Sequence, residues 1–157
     1  MTLLEGEWSY SAVEGPANDV LGVWHAARDF SNAIDRRINR LLIDSELTPR
    51  TFTFLHWADR LRDKSLSRIR ARAGASASEA TRLVRNLEKA GYIRTAVGSH
   101  DERTVAVEVT ALGRTTIRRA FRLVMADLAK LQNLSRRRAD LTDRLLRKLT
   151  EEVDSNN

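Results

Sequence analysis

The residues that could do chemistry in this 157-residue chain are mostly cations, and they are concentrated in one segment. Between Arg60 and Arg94 lie ten Lys or Arg residues and three acids, which is a net charge of +7 in 35 residues. The other 122 residues carry 17 basic and 18 acidic side chains, so this segment accounts for the net charge of +6. Such localised charge predicts an anionic partner, with nucleic acid the first candidate and a membrane surface the second. A solvated basic face without a partner is the alternative.

Few other side chains are arranged for chemistry. The chain has no cysteine, which excludes disulfides, thiolate metal sites and cysteine catalysis. Its histidines, His25, His56 and His100, lack metal-ligand spacing, and neither a glycine-rich phosphate loop nor a Gly-x-Ser-x-Gly motif occurs. We therefore expect no enzyme activity, no metal and no cofactor. Because no apolar stretch is long enough for a membrane span or a signal peptide, we expect a cytoplasmic protein.

The segment from Ser76 to Gly91 has the pattern of an amphipathic helix with a cationic outer face. Its first four residues, Ser-Ala-Ser-Glu, predict a capping box in which the serine covers an amide and Glu79 reaches back. A helix in the DNA major groove uses its first turns for base edges and later cations for phosphates. An ordinary solvated surface helix is the alternative. On a helical wheel, the apolar side comprises Ala80, Leu83, Val84 and Leu87, and the polar side comprises Ser78, Arg82, Arg85 and Lys89 with Thr81 at its edge.

The elements around this segment follow in the predicted order helix, helix, helix, helix, hairpin, helix, helix. The first helix begins at the N-cap Asn18 and ends near residue 45, and Thr48 followed by Pro49 starts the second. A short third helix spans residues 65–74. Alternating residues at 92–97 and 104–109 predict a hairpin with a polar tip, and Thr110 caps the next long helix. The fold class is therefore mostly α with a small two-stranded β-wing, which is a winged helix-turn-helix.

The long helices at the two ends of the chain pose a separate question. They carry apolar stripes that lie outside the compact winged unit, so we expect them to pair with a second copy of the chain. The predicted organisation is one integrated domain with an N-terminal arm at 1–17, dimerisation helices at 18–46 and 111–157, and a winged helix-turn-helix DNA-binding domain at 47–110. The two identical DNA-binding units of such a dimer would match a two-fold symmetric DNA site.

Several short motifs between Leu47 and Gly113 resemble the multiple antibiotic resistance regulator (MarR) family of bacterial transcription factors. They are Leu-Thr at the start of the second helix, SASEATRLVRNLEKAG at residues 76–91, Asp-Glu-Arg at 101–103 and VTALG at 109–113. The resemblance implies a homodimer that binds a pseudo-palindromic operator, usually as a repressor, and that small aromatic or phenolic ligands commonly release. By position, Arg103 would enter the minor groove and Asp101 would hold it, which fits the negative potential of a narrow minor groove.

Two sets of candidate site residues follow. The family's ligand crevice, between the dimerisation helices and the winged unit, would be lined by Trp24, His25 and Arg28 from the first helix and by His56 and Trp57 from the second. Both tryptophans lie on apolar stripes, so a place in the core is the alternative for them. The predicted DNA-contacting residues are Arg68, Ser76, Ser78, Thr81, Arg82, Arg85, Lys89, Asp101 and Arg103.

Two rival functions remain open beside sequence-specific regulation. A dimeric helical protein-interaction scaffold would not need cations at positions 82, 85 and 103 together. An architectural DNA-binding protein would bind unrelated sequences with equal affinity.

Overall fold

The fold is a winged helix unit flanked by long helices, as the sequence predicts. The computed structural model describes residues 16–97, 105–131 and 136–155. The elements in chain order are α1 (Pro16–Leu41), α2 (Pro49–Arg60), α3 (Leu66–Arg72), α4 (Ala77–Lys89), β1 (Ile93–Val97), β2 (Val105–Val109), α5 (Ala111–Leu128) and α6 (Arg136–Ser155).

The helix boundaries follow local capping chemistry. The hydroxyls of Thr48, Ser76 and Thr110 accept hydrogen bonds from backbone N–H groups in the first turns of α2, α4 and α5, which confirms the three predicted N-caps. Gly74 and Gly91 follow α3 and α4 with φ angles of 59° and 72°, the left-handed conformation that commonly ends a helix.

The first helix departs from its predicted limits. It begins at Pro16, two residues before the predicted N-cap Asn18, and it ends at Leu41 instead of near Ser45. Proline is compatible with a first helical turn because an N–H group at that position would have no partner within the helix. After α1 the chain forms a short 3-10 turn at Ile43–Ser45 and then reverses at Glu46, whose φ of 54° is left-handed.

The wing is an antiparallel pair in which Ile93 lies opposite Val109. The chain before α3 runs along the other edge of β2, where the Lys64 carbonyl accepts a hydrogen bond of 2.8 Å from the Val107 N–H. Val107 and Val109, on one face of β2, are buried in the core, whereas Val105 on the same face is exposed. The hairpin tip predicted at residues 98–103 lies outside the described residues.

The core lies between α2, α4, the wing and α5. Phe54, Leu55 and Ala58 of α2 are fully buried at its centre, and Ile117 and Val124 of α5 pack against them in the same buried cluster. This arrangement makes α2 the scaffold on which both α4 and α5 rest.

The flanking helices bury little apolar surface within one chain. In the part of α6 that the structure describes, no residue is buried, and Leu141, Leu145 and Val153 are each more than half exposed. On α1, Trp24 and Phe30 are likewise at least half exposed. A single chain therefore leaves the apolar stripes of these helices uncovered, and contact of such stripes with water is unfavourable.

Candidate nucleic-acid interface

Helix α4 is held against the core by its apolar face. Ala80, Leu83 and Leu87 are buried, which confirms the predicted wheel, and Val84 packs partly buried beside them. Burying such side chains stabilises the fold by roughly 1.5–3 kcal/mol for each large one. The underside therefore decides which face of α4 is turned outward.

The outward face carries the predicted cations. Ser78, Thr81, Arg82, Arg85 and Lys89 are all exposed. Within the described part of the chain, none of the three cations forms a salt bridge. Unpaired cations on one helix face provide a positive surface that an anionic polymer can neutralise.

The first turn of α4 is bound tightly to neighbouring groups. The Ser76 hydroxyl accepts a hydrogen bond of 3.2 Å from the Glu79 N–H and lies 3.2 Å from the Ser78 hydroxyl. The Thr81 hydroxyl donates to the Ala77 carbonyl at 3.0 Å. Ser76 is therefore a structural cap in this structure, and the Ser78 and Thr81 hydroxyls keep acceptor capacity on the exposed surface.

The capping box predicted at this turn is only half right. The main partner of Glu79 is Arg50 of α2, whose Nε and Nη2 donate to the two carboxylate oxygens at 2.7 Å each. The hydrogen bonds from Arg50 lower the pKa of the Glu79 carboxyl, with smaller contributions from the Ser76 amide and the Arg82 charge. Sequence reasoning missed Arg50 because it lies 29 residues before Glu79 and no local pattern links the two.

A second contact ties the wing to α4. The Glu88 carboxylate accepts hydrogen bonds from the Thr95 N–H at 3.0 Å and from the Thr95 hydroxyl at 2.6 Å. Strand β1 is thereby fixed beside the last turns of α4, so the wing projects from a defined position next to the cationic face. The predicted minor-groove residues Asp101 and Arg103 lie outside the described residues.

The remaining predicted DNA contact, Arg68, lies on α3 and is three-quarters exposed. Its Nε is 3.6 Å from Oδ2 of Asp63, an exposed pair of small energetic weight. Hydrogen bonds from Ser65 lower the pKa of the Asp63 carboxyl, with a smaller contribution from Arg68. A groove of about 320 Å³ separates α3 from α4, and Arg70 and Thr81 are among the residues that line it.

The five predicted ligand residues fall into two groups. On α1, the ring centroids of Trp24 and His25 are 4.7 Å apart and the Arg28 guanidinium lies 5.4 Å from the Trp24 ring centroid. Trp24 is half exposed in the single chain. On α2, His56 and Trp57 have ring centroids 5.4 Å apart, and Trp57 packs against the edge of the core.

His56 faces an open cavity between α2 and α5. Its ring stacks on Phe121 with centroids 5.0 Å apart, and it also stacks on Phe52. Burial lowers the pKa of His56, and the charge of Arg60 adds to this effect. The cavity has a volume of about 600 Å³, and its lining includes His56, Asp59, Arg60, Arg118, Phe121 and Arg122.

Other site chemistries are not represented in the residues that the structure describes. No group of three or more His, Asp or Glu side chains there is placed to hold a metal ion. None of the described helices is long and apolar enough to cross a membrane.

Comparison with known proteins agrees with this geometry. Residues 47–113 match the family model of the winged helix DNA-binding domain. The comparison with curated proteins finds no match. The transcriptional regulator MOSR of M. tuberculosis, solved in complex with DNA, is similar at 26% identity with a TM-score of 0.66, over 82% of this chain and 96% of that one.

Two further solved structures resemble the whole chain. BldR from Sulfolobus solfataricus has a TM-score of 0.74 at 20% identity, over 88% of this chain and 99% of that one. A mutant MarR from E. coli, complexed with operator DNA, has a TM-score of 0.73 at 20% identity, over 87% and 99%. The predicted resemblance is thus confirmed: residues 47–113 match the winged helix DNA-binding domain, and the chain has the fold of solved MarR family transcription regulators.

Proposed function

We propose that this protein is a MarR-type transcriptional regulator that binds a pseudo-palindromic operator as a homodimer and represses transcription. The observation that carries the proposal is the orientation of α4. Its apolar face is buried in the core, while Arg82, Arg85 and Lys89 are exposed and form no salt bridge with any residue that the structure describes. This geometry suits a helix lying in the major groove, where arginine binds guanine edges with two parallel hydrogen bonds. The protein acts by binding and not by catalysis, and it works in the cytoplasm, where its DNA is.

The homodimer is supported by the flanking helices. Residues 18–46 and 111–157 would be the dimerisation region and residues 47–110 the DNA-binding region. The exposed apolar side chains of α1 and α6 would pack against their copies in the second chain, because a stable interface needs a continuous apolar centre. The solved E. coli MarR mutant bound to operator DNA has the same fold over 87% of this chain, a span that includes more than the winged helix unit.

The wing completes the proposed contact with DNA. Arg103 would enter the minor groove beside the major groove that holds α4, and Asp101 would orient it. The Glu88–Thr95 hydrogen bonds support this role because they fix the wing strands beside α4. Arg68 on α3 would contact a phosphate, since its side chain is three-quarters exposed and its ion pair with Asp63 is itself exposed and therefore weak.

A small aromatic anion would release the operator by binding the cavity between α2 and α5. The cavity offers the stacked rings of His56 and Phe121 beside the cations Arg60, Arg118 and Arg122. Aromatic walls with a few convergent charges are typical of sites for small carboxylates and phenolates. Thermal shift assays with a panel of small aromatic carboxylates test this role: the panel should stabilise the wild type, and Arg118→Ala should lose the response. No stabilisation by any member would contradict it.

The regulatory function is tested by selecting duplexes from a random library with the full chain. We expect an enriched motif of two inverted half-sites whose centres are one helical turn, roughly 34–36 Å, apart. Gel shifts then compare this duplex with a scrambled duplex of the same composition. Equal affinity for both at physiological salt would favour the architectural DNA-binding alternative and overturn sequence-specific regulation.

A further inference from the structure

Arg50 lies outside the cationic face of α4, yet it contacts both the turn that precedes α4 and the first turn of α4 itself. It stands in the first turn of α2, and its guanidinium forms a two-point ion pair with Glu79 in the first turn of α4. The same guanidinium donates to the Ala73 carbonyl at 3.4 Å and to the Gly74 carbonyl at 3.2 Å. One side chain therefore joins the core helix, the turn and the recognition helix.

The turn carbonyls explain why an arginine stands at this position. Ala73 and Gly74 follow the last residue of α3, where carbonyl groups lack partners within the helix. Only a planar guanidinium offers enough donors in a fixed fork to serve a carboxylate and two carbonyls together. Lysine has a single ammonium and cannot reproduce this set of bonds.

The buried apolar face of α4 does not by itself fix the rotation of the helix about its own axis, whereas the ion pair with Arg50 does. Apolar contacts are not directional, so Ala80, Leu83 and Leu87 oppose lifting of α4 more strongly than a small rotation about its own axis. A two-point ion pair is directional. Glu79 lies one helical turn before Arg82, so a rotation at Glu79 would move the Arg82 guanidinium relative to a base edge.

From this geometry we infer that Arg50 is a positioning residue for operator specificity, which sets the rotation of α4 through Glu79 and the turn without contacting DNA. The inference rests on the proposed function, and it adds a determinant of specificity that lies off the DNA-binding face. The Glu79 carboxylate would repel a phosphate, so the pair itself is unsuited to a DNA contact. Its side chains are 43% and 24% exposed, so the pair acts through geometry more than through net stability.

The experiment measures affinity for the selected duplex and for its scrambled counterpart with four proteins: wild type, Arg50→Ala, Arg50→Lys and Arg147→Ala. Arg147 is a matched control because its Nε forms an ion pair of the same 2.7 Å length with Asp143, but within α6. Arg50→Ala and Arg50→Lys should each reduce the ratio of specific to scrambled affinity by about tenfold. Affinity for the scrambled duplex should change less than twofold, and the control should behave as wild type.

A direct phosphate contact by Arg50 would give a different result. Arg50→Ala would then weaken both duplexes alike, and Arg50→Lys would preserve binding because the charge remains. Either outcome overturns the positioning role. A lowered ratio in an Arg147→Ala control that light scattering shows to have the same oligomeric state as the wild type would overturn it too, since any lost ion pair would then have the same effect.

A second measurement needs no DNA and separates this inference from the proposed function. Amide hydrogen exchange in the free protein should become at least fivefold faster at residues 73–81 in Arg50→Ala, while the buried amides of α2 and α5 keep their rates. Unchanged exchange at residues 73–81 would overturn the inference even if the selection finds an operator. If the selection finds none, the proposed function fails, and the exchange rates still decide whether Arg50 holds α4.

Discussion

Gly113, in the first turn of α5, is a position where adding a single methyl group should strongly destabilise the fold. A Cβ atom built there would lie 2.0 Å from the Tyr92 carbonyl oxygen and 3.0 Å from Cγ1 of Val109, whereas ordinary contacts begin near 3.4 Å. The Tyr92 carbonyl would have to move by roughly 1 Å or more, against well-packed neighbours. That carbonyl accepts hydrogen bonds from the Thr110 N–H at 3.0 Å and the Thr110 hydroxyl at 3.2 Å.

The size of the effect follows from these contacts. Weakening two hydrogen bonds costs about 1–3 kcal/mol, and overpacking costs about 1–3 kcal/mol more. Replacing glycine by alanine within a helix stabilises the helix by about 1 kcal/mol, which offsets part of this cost. Gly113→Ala should therefore lower the free energy of unfolding by about 1–5 kcal/mol, which for a chain of this size lowers Tm by roughly 2–20 °C.

The assay is urea unfolding followed by circular dichroism at a fixed protein concentration, because the proposed dimerisation would make stability depend on concentration. The matched control is Gly22→Ala in α1, where the added carbon would have no atom of the described residues within 4 Å apart from its chain neighbours and the nearby backbone of α1 itself. This variant should equal or exceed the wild type in stability. If Gly113→Ala were as stable as the wild type, the close approach of α5 to the Tyr92 carbonyl would be refuted.

Three further outcomes are expected. Arg82→Ala or Arg85→Ala should reduce discrimination between operator and scrambled duplex by about 1–3 kcal/mol in binding titrations. Lys89→Ala should instead weaken binding to both duplexes alike and reduce the slope of log affinity against log salt concentration by about one. A changed base preference in Lys89→Ala would contradict the assignment of faces. Leu145→Glu should convert the dimer into a monomer by light scattering, because it places a charge on the exposed apolar stripe of α6; a monomeric wild type would contradict the dimer itself. His56 has a lowered pKa in the folded state, so the unfolded chain binds more protons just below the ordinary value of 6.5. Stability should therefore fall as the pH drops from 6.5 towards the lowered pKa, and urea unfolding of His56→Phe should not show this slope.

The local structure could be predicted because it depends on residues that are close in the chain. The hydroxyls of Thr48, Ser76 and Thr110 lie three residues before the amides they cap, so short-range chemistry alone marks the starts of α2, α4 and α5. The helical period of the apolar residues in α4 likewise predicts both its buried and its exposed face.

The contacts that aim these elements could not be predicted. Arg50 and Glu79 are 29 residues apart, and Arg37 and Asp127, whose hydrogen-bonded ion pair joins α1 to α5, are 90 apart. A pairing across such a distance depends on how the helices cross, which no local pattern contains. The Glu79 side chain illustrates the point: the motif predicted only a bond within its own helix cap, whereas its two carboxylate oxygens each accept a hydrogen bond from a guanidinium of α2.

The sequence by itself determined the order of the elements, the winged helix-turn-helix and the cationic outer face of α4, because periodicity and capping act within a few residues. Only the tertiary structure decided that α2 carries Arg50 to the first turn of α4, that Glu88 anchors the wing strand at Thr95, and that His56 faces a cavity beside α5. The physical reason is that such contacts form between separate helices and strands, whose relative positions are set by the packing of the whole core.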